Sequence, residues 1–431
     1  MPLTNRIRII PATGKAPDSV FDFLNVFKFS NISDDSFFSN ASSVEKIIVR
    51  DGDTLEVISS YVDSDYNNTL REGRIWWRGE ASDEKSFIID VSTHSNITNG
   101  NSVFSGFVNS HGYDNAVGDS IDRCGSGSAR STTVERSASG AIGKAFDLTE
   151  FGDKIEFMND EDVSSPIVLN GAPKVTLHFL VRRSEVSTQN STCLFSAVWG
   201  DFYFMFFNKY FIGSTDVSVF DATCDVSSQF TVNEYSLVSV VFDGTATDAD
   251  LDIQDAKRFM VFVNGTKMNI VFDLWDGHVP STFMSVSSPF LYTLLYAFAG
   301  TYSGAIDEDL FLADVDSATE ILLRANQMVS NSSYWSVSCV PVITNARRID
   351  PILISLFGSG FSPSGDKPIV TINGVSTVVS DGYTNTSMTI AATANRSHNG
   401  VIISVENSNN ESCSYTLRTN NKFSSLTTGV L

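Results

Sequence analysis

Acidic residues outnumber basic residues in the chain, 50 against 29, and glycoside hydrolysis is one reaction that paired carboxylates carry out. The reaction needs two carboxylates flanking the scissile bond, about 5 Å apart in retaining enzymes. Glu150, Asp153 and Glu156 are spaced by three, so a strand would not hold them on one face. Asp307 and Asp309 would share a face, but their stretch has a structural explanation given below. The acid spacing therefore favours a protein that is not an enzyme.

Histidines and nucleophiles give no stronger signal for catalysis. No two of the five histidines have the spacing of metal ligands; they are His94, His111, His178, His278 and His398. The sequence also lacks a nucleophile-elbow motif and a glycine-rich phosphate loop. A Ser, His and acid set assembled by folding stays open, because sequence alone does not exclude it.

Asp248, Asp250 and Asp252 alternate along the chain, with Asp255 close behind. Carboxylate oxygens are the ligands that calcium prefers, so calcium is the one cofactor that the sequence offers. The segment lacks the glycine and the distant glutamate of an EF-hand loop. The alternative is an exposed acidic loop between two strands.

Two tryptophan-containing segments are candidates for contact with a glycan. Trp76 and Trp77 are adjacent, and neighbouring strand residues point to opposite faces, so only one of them would lie on a given surface. Trp76 is taken as that surface residue. Trp275, Asp276 and His278 lie in a predicted loop, and loops carry binding residues more often than strands do.

The five cysteines are odd in number and widely spaced, which fits neither a disulfide framework nor a zinc site. Cys339 and Cys413 bracket the last predicted domain and would pair in a disulfide if its first and last strands are neighbours. Reduced, buried thiols are the alternative, and they are the commoner state in a cytoplasmic product.

Bulk properties exclude several classes of protein. A chain of 431 residues, 42% hydrophobic and 18% charged, predicts two or three well-buried domains. The net charge of −21 repels phosphate backbones, so nucleic acid is not an expected partner. No apolar run approaches the roughly 20 residues of a membrane span. The first residues, 1–6, lack the apolar segment of a secretory signal, which predicts synthesis in a cytoplasm.

Strand patterns dominate the chain, so the predicted fold class is all-β. Residues 1–122 contain the hairpin candidate 46–58 and strand candidates 74–78 and 86–91, and form an unassigned β domain. Residues 123–136 are small and polar, as in a linker.

Residues 137–330 carry the sharpest signals. Lys174 to Arg183 alternates as a strand with one packed face, and Asn264-Gly265 predicts a tight hairpin turn between 258–263 and 267–272. Only Asp316 to Ala325 looks helical, with Asp316 or Ser317 as its cap.

Four motifs in this segment resemble those of laminin-G-like, concanavalin-A-like domains. In order they are Gly140–Asp147, Leu237–Gly244, Phe262–Gly265, and Gly304–Glu308 followed by Ser317–Ile321. The opening motif departs from the family in having Phe146 directly after Ala145. The resemblance implies a two-sheet jelly roll of a kind that commonly binds glycans or proteins, and it makes Asp307 a structural residue.

Residues 339–418 resemble an immunoglobulin-like IPT/TIG module, a spacer and docking unit without chemistry of its own. The matching segments are Pro341–Thr344, Leu356–Phe361, Ile369–Val375, Ser387–Ala392 and Gly400–Asn407. The proline usual after the first strand is replaced by the stretch 347–351, and a polar tail covers residues 419–431.

Adhesin-type modules without a secretory signal need another route out of the cell, and a virus particle released by lysis supplies one. The leading hypothesis is therefore a non-enzymatic bacteriophage virion protein, made in the host cytoplasm: a capsid decoration, head fibre or tail-associated adhesin. Its N-terminal domain would bind other virion proteins, and its jelly roll would contact host surface polysaccharide.

Three alternatives stay open beside this hypothesis. They are a capsid or tail cement protein without sugar binding, a secreted or cell-surface lectin-like adhesin, and a depolymerase. A homo-oligomer is compatible with the sequence, although no coiled-coil heptad supports one.

Overall fold

The structure is a computed structural model, and the protein is all-β with few helices. The description covers residues 6–16, 18–63, 65–91, 100–112, 120–121, 123–124, 128–131, 136–137, 140–142, 145–148, 155–158, 169, 171–183, 191–197, 202–207, 210–214, 221–273, 278–283, 292–294, 296–299, 304–350, 353–362, 365–391 and 401–417.

The first strands are short and rich in β-branched and aromatic residues, which suit a pleated surface. Along the first strand, buried and half-buried side chains alternate, as the two-residue period of a strand requires. The elements are β1 (Arg6–Pro11), β2 (Val20–Lys28), α1 (Asp35–Asn40), β3 (Ile47–Asp51), β4 (Val57–Ile58), β5 (Ser60–Val62), β6 (Arg74–Ala81), β7 (Phe87–Val91) and α2 (Gly100–Val103). The predicted hairpin over 46–58 is confirmed as the antiparallel pair β3–β4.

The central part of the chain supplies most of the strands. They are β8 (Phe107–His111), β9 (Ser120–Ile121), β10 (Ser128–Ser131), β11 (Arg136–Ser137), β12 (Ala145–Leu148), β13 (Ile155–Met158), β14 (Lys174–Arg183), β15 (Ser191–Ala197), β16 (Phe202–Phe207), β17 (Tyr210–Ser214), β18 (Asp221–Asp225), β19 (Tyr235–Asp243), α3 (Leu251–Arg258), β20 (Phe259–Val263), β21 (Thr266–Lys267), β22 (Val271–Asp273), β23 (Tyr292–Leu294), β24 (Tyr296–Ala299) and β25 (Gly304–Leu312). The predicted linker is corrected here, because β10 lies within residues 123–136 and pairs with β9 and β13.

Two helices and a strand lead into the last module. They are α4 (Ala318–Val329), α5 (Asn331–Tyr334) and β26 (Trp335–Val340). The predicted helix is confirmed, and Ser317 caps it in a capping box with Glu320. The remaining strands are β27 (Val342–Asp350), β28 (Leu353–Ser359), β29 (Ile369–Ile372), β30 (Val375–Thr377), β31 (Ser387–Ala391), β32 (Val401–Glu406) and β33 (Ser412–Leu417).

The N-terminal module is a small sandwich that closes with a strand from the far end of the chain. Its five-stranded sheet has the order β26-β1-β7-β3-β4, and its three-stranded sheet has the order β2-β6-β5. β26 pairs antiparallel with β1 along its whole length, from Arg6 opposite Val340 to Pro11 opposite Trp335. The central strands are therefore inserted between β7 and β26, which corrects the expectation of three modules in simple succession.

The inserted part, called here the central sandwich (β8–β25 with α3), is built of two sheets. The eight-stranded sheet has the order β11-β12-β25-β14-β19-β20-β21 with β8 added to β25, and the ten-stranded sheet has the order β22-β18-β17-β16-β15-β23-β13-β10-β9 with β24 added to β15. The core between them contains the predicted inward face of β14, Val175, Leu177, Phe179 and Val181. The predicted Asn264-Gly265 turn is confirmed, with φ of 51° and 80°.

A second apolar cluster joins the central sandwich to the N-terminal module. It includes Trp76 of β6, Leu180 of β14, Leu310 of β25 and Met328 of α4. The outer face of β14, expected to be solvated, is therefore buried as well. Gln327 of α4 accepts a hydrogen bond from the Val26 amide at 2.8 Å, so this backbone group on the outer edge of β2 has a partner.

The C-terminal module packs sheet β27-β28-β31 on sheet β30-β29-β32-β33 around its own core. It is attached to the N-terminal module by polar contacts. Glu411 accepts from Arg8 Nε at 3.1 Å and from Ser338 Oγ at 2.7 Å, and Asn407 Nδ2 donates to the Cys339 carbonyl at 2.6 Å.

Candidate functional site

The predicted glycan-binding loop can be described at its base. Trp275 and Asp276 lie outside the described residues, whereas His278 is described and directly precedes Val279 of the sandwich core. His278 Nδ1 lies 2.7 Å from Asp255 Oδ2, and the Val279 amide donates to Asp255 Oδ1 at 2.8 Å. Asp255 is fully buried, so one carboxylate fixes both the imidazole and the backbone beside it.

Helix α3 positions that carboxylate. The helix begins after Asp250, whose side chain accepts hydrogen bonds from the amides of Asp252 and Ile253. At its other end, the Arg258 guanidinium donates to the carbonyls of Ala246 at 3.0 Å and Val279 at 2.7 Å. The loop base is therefore tied to α3 by two side chains.

The His278 side chain is 39% exposed, and no described residue hydrogen-bonds its Nε2. Since Asp255 holds the Nδ1 edge, the other edge of the ring can meet a hydroxyl or carbonyl group of a ligand. An imidazole held by a buried carboxylate makes such a contact at a small entropic cost.

Trp76 is placed differently from the prediction. Its side chain is 1% exposed, and its Nε1 donates to Asp63 Oδ2 at 2.8 Å. Trp77, on the opposite face of β6, packs in the N-terminal core against Phe87 and Trp335. The assignment of Trp76 to a glycan platform is therefore wrong, because apolar clusters cover both faces of the strand.

The predicted calcium ligands have structural partners of their own. Asp248 pairs with Lys257, at 2.6 Å between Oδ2 and Nζ, and Asp250 caps α3. Asp252 lies in the first turn of that helix, where its charge favours the helix dipole. Within the described part of the chain, no group of three acidic, His or Cys side chains is arranged to hold a metal ion. The predicted acidic loop is in fact a turn followed by a helix.

The predicted disulfide between Cys339 and Cys413 is absent, since both thiols are free. Cys339 lies in β26, which belongs to the N-terminal sheet, whereas Cys413 packs on the core of the C-terminal module. Burial raises the pKa of Cys339 to about 12 and that of Cys413 to about 11.

A Ser, His and Asp set is assembled by folding, as sequence alone could not exclude. His178 of β14 lies opposite Ser239 of β19, with 2.8 Å between Nδ1 and Oγ. Its Nε2 lies 2.8 Å from Asp316 Oδ2, which also accepts from Arg324 Nη2 at 2.9 Å. His178 and Ser239 are fully buried, so the set holds α4 on the sheet and presents no nucleophile to a substrate.

Electrostatics agree with that structural role. Burial lowers the pKa of His178, which keeps the ring neutral, in spite of its hydrogen bond with Asp316. Burial alone would raise the pKa of Asp316, but the charge of Arg324 and the His178 hydrogen bond outweigh it and hold that pKa well below its usual range.

Of the acids considered for glycoside hydrolysis, Glu150 and Asp153 lie outside the described residues, whereas the two on β25 are enclosed. Asp307 and Asp309 are fully buried, and so is Glu308 between them. A β-bulge in β25 leaves Asp307 as the extra residue, because Leu180 pairs with Glu308 and Val181 pairs with Ile306. Asp307 and Glu308 consequently both reach Arg74 instead of facing opposite ways.

Asp307 and Glu308 belong to a cluster of charged residues that sequence reasoning missed, called here the junction network. Its members come from both sides of the contact between the N-terminal module and the central sandwich: Asp63, Asp65, Arg74, Arg123, Asp307 and Glu308. Arg74 lies 2.5 Å from Asp63 and 2.9 Å from Glu308, and Arg123 pairs with the same two acids. The sequence did contain one sign of this cluster, which is the run of acids at 307–309 within the otherwise apolar stretch 304–312.

No helix among the described residues is long and apolar enough to cross a membrane.

Comparison with known proteins gives little beyond the strand content. No family model matches the chain, and no curated protein matches it. The solved structures that resemble it include binding domains of botulinum neurotoxins.

The binding domain of botulinum neurotoxin DC in complex with rat synaptotagmin II is 12% identical, with 72% of this chain and 73% of that chain covered at a TM-score of 0.39. The same binding domain in complex with SialylT is 13% identical over 72% and 73%, also at 0.39. The serotype D binding domain is 10% identical over 71% and 87%, at 0.38. No conclusion about function follows from a likeness at this level.

Proposed function

We propose that this protein is a non-enzymatic binding protein of a bacteriophage particle, whose central sandwich contacts host surface glycans through the predicted loop 275–278. The observation that carries the glycan part is the pair His278–Asp255, at 2.7 Å. It gives a predicted Trp-Asp-Gly-His loop a fixed base and a partly exposed polar ring. Aromatic and polar groups on a rigid base are what recognition of a sugar requires.

The non-enzymatic part of the proposal rests on how the described acids and histidines are used. Asp307 and Glu308 pair with Arg74, and His178 and Asp316 hold α4. Each of these groups is buried and engaged with protein. The proposal also takes the central sandwich as a laminin-G-like jelly roll and the C-terminal module as an IPT/TIG-like spacer.

A glycan microarray probed with the full chain tests the binding site. Trp275→Ala and His278→Ala are expected to lower binding at least tenfold, measured well below the melting temperature of each variant. His278→Ala should also lower the melting temperature, because it removes a partner of the buried Asp255 carboxylate. Phe21→Ala is the matched control, since Phe21 is 76% exposed on the N-terminal module and its loss should leave binding unchanged. Equal binding by all three variants would refute the assignment of the loop.

A cement protein without sugar binding is the second candidate, and the junction network favours it. Buried contacts of Arg74 with Glu308 and of Arg123 with Asp63, together with two chain crossings, hold the N-terminal module and the central sandwich in one orientation. A fixed orientation suits a protein that clamps neighbouring subunits. An empty glycan array together with loss of particle stability on removal of the protein would favour this candidate.

The virion location needs its own experiment. Mass spectrometry of particles purified from lysed host cells should detect the chain, and electron microscopy should show its position on head or tail. Detection only in the culture medium, free of particles, would favour a secreted or cell-surface adhesin instead.

A further inference from the structure

The junction network contains more negative than positive charge. Four carboxylates, those of Asp63, Asp65, Asp307 and Glu308, face the two guanidinium groups of Arg74 and Arg123. The six side chains are at most 9% exposed. Among these six described residues the acids outnumber the guanidinium groups, and all six are withdrawn from water.

Asp65 is the member whose charge is least compensated. It is 9% exposed, and neither carboxylate oxygen has a hydrogen-bond partner among the described residues. Asp63 differs, since its oxygens lie 2.5 Å from Arg74 and 2.8 Å from Arg123. A buried carboxylate without partners is costly when ionised, and binding a proton removes that cost.

Neighbouring charges also affect how readily each acid of the network ionises. The positive charge of Lys28, on β2, favours the ionised form of Asp307. Its ammonium group donates to the Ala141 carbonyl at 3.1 Å. Glu308 faces Arg123 and Arg74 on one side and the like charge of Asp63 on the other. Asp65 faces the same two arginines, together with the like charges of Asp63 and Asp307.

We propose that the junction network is a pH-responsive contact, which holds the central sandwich firmly to the N-terminal module in mild acid and loosens toward alkaline pH. The geometry supports a change at this contact because the network lies between the two modules. Loss of a proton adds one more negative charge to the same enclosed space.

Burial raises the pKa of three acids in the network, Asp65, Asp307 and Glu308, and the expected pH window is taken from Asp65 and Glu308. Burial raises the pKa of Glu308 from 4.5 to about 8 and that of Asp65 from 3.8 to about 6. An acid with a raised pKa in the folded state contributes stability that is full below its ordinary pKa and is lost as pH rises through the folded value. The junction should therefore weaken between about pH 4 and pH 8.

Hydrogen exchange of the full chain, with rates corrected for the intrinsic effect of pH, tests this directly. For peptides spanning β6 and β25, the opening constant should rise by up to about tenfold per pH unit for each acid that loses its proton in that window. Glu308→Gln and Asp65→Asn imitate the protonated acids, so each should flatten part of the rise. Asp381→Asn, at a fully exposed acid of the C-terminal module, is the control and should behave as wild type.

An opening constant of wild type that stays the same from pH 5 to pH 8.5 would overturn the proposal. So would a rise of equal steepness in the Glu308→Gln, Asp65→Asn double variant. If Glu308→Gln does not fold, Asp65→Asn alone decides between pH 4 and pH 6.5, since its own window ends near pH 6. Peptides of β32 in the C-terminal module should show no such rise in any variant.

Discussion

Nη2 of Arg74, on β6 of the N-terminal module, lies 2.9 Å from Oε2 of Glu308, on β25 of the central sandwich. The two residues are 234 positions apart in the chain and both are fully buried. Their contact shows that the two modules share charged groups as well as apolar surface.

Replacing Arg74 should destabilise the N-terminal module strongly. Arg74→Met leaves Asp63, Asp307 and Glu308 with less compensation, and breaking a buried ion pair on one side costs about 3–5 kcal/mol. Urea unfolding followed by tryptophan fluorescence measures the loss. Arg71→Met is the control, because the Arg71–Asp35 pair is exposed and such pairs contribute about 0–1 kcal/mol. Equal losses in both variants would contradict the enclosed network.

Trp76 should matter for stability and not for binding. Trp76→Ala removes a large side chain from the cluster between the modules, at a cost of about 3–5 kcal/mol. Glycan binding measured well below the lowered melting temperature should equal that of wild type. A selective loss of binding without destabilisation would restore Trp76 as a surface contact.

The acidic segment before α3 should respond to mutation as a helix cap. Asp250→Ala removes the side chain that accepts from the Asp252 and Ile253 amides, which costs about 1 kcal/mol. Asp252→Ala is the matched control and should cost less, since its helix-dipole interaction is worth roughly 0.3–1 kcal/mol. Calcium should give no heat in calorimetry and no rise in melting temperature; either signal would revive the calcium site.

His178 should make the attachment of α4 sensitive to acid. Its pKa is lowered in the folded protein, so the neutral ring contributes fully above its ordinary pKa of 6.5 and loses that contribution as pH falls below it. His178→Gln cannot gain the proton, so its melting temperature should fall less between pH 7 and pH 5 than that of wild type.

Ser239→Ala is the control for that comparison. It should cost about 1–3 kcal/mol by leaving a buried ring nitrogen unpaired, yet keep the pH slope of wild type. Asp65 and Glu308 act in the opposite direction over the same pH range, so the difference between variant and wild type is the quantity to compare. Parallel curves for His178→Gln and wild type would contradict the assignment.

The free thiols predict that reductant has no effect on stability. Dithiothreitol should leave the melting temperature unchanged, because Cys339 and Cys413 lie in different cores. At pH 8 neither thiol should react with iodoacetamide until the chain is denatured, since burial raises the pKa of each well above that pH. A shift on a non-reducing gel would indicate a bond between them.

Local patterns predicted elements well where neighbours in sequence determine them. The turn at Asn264-Gly265 and the cap at Ser317 depend on a few adjacent residues, and both are found as predicted. The face of β14 that enters the sandwich core also follows from simple alternation.

Contacts between distant segments could not be predicted in the same way. Trp76 was expected on a surface because the alternation of a strand does not tell whether its second face is also covered. The bulge at Asp307 depends on where β14 pairs, and the partner of β1 begins 324 residues after its end. The disulfide prediction failed for the same reason, since β26 joins a sheet other than that of β33.

The return of β26 to β1 has a consequence for how such a protein can change over generations. Because the N-terminal sandwich closes on its own first and last strands, the material between them can be exchanged as a cassette by recombination. The recipient fold would need to keep α4 and α5, whose side chains complete its core and edge. A donor cassette would have to supply acids opposite Arg74, because that arginine would keep Asp63 but lose Asp307 and Glu308.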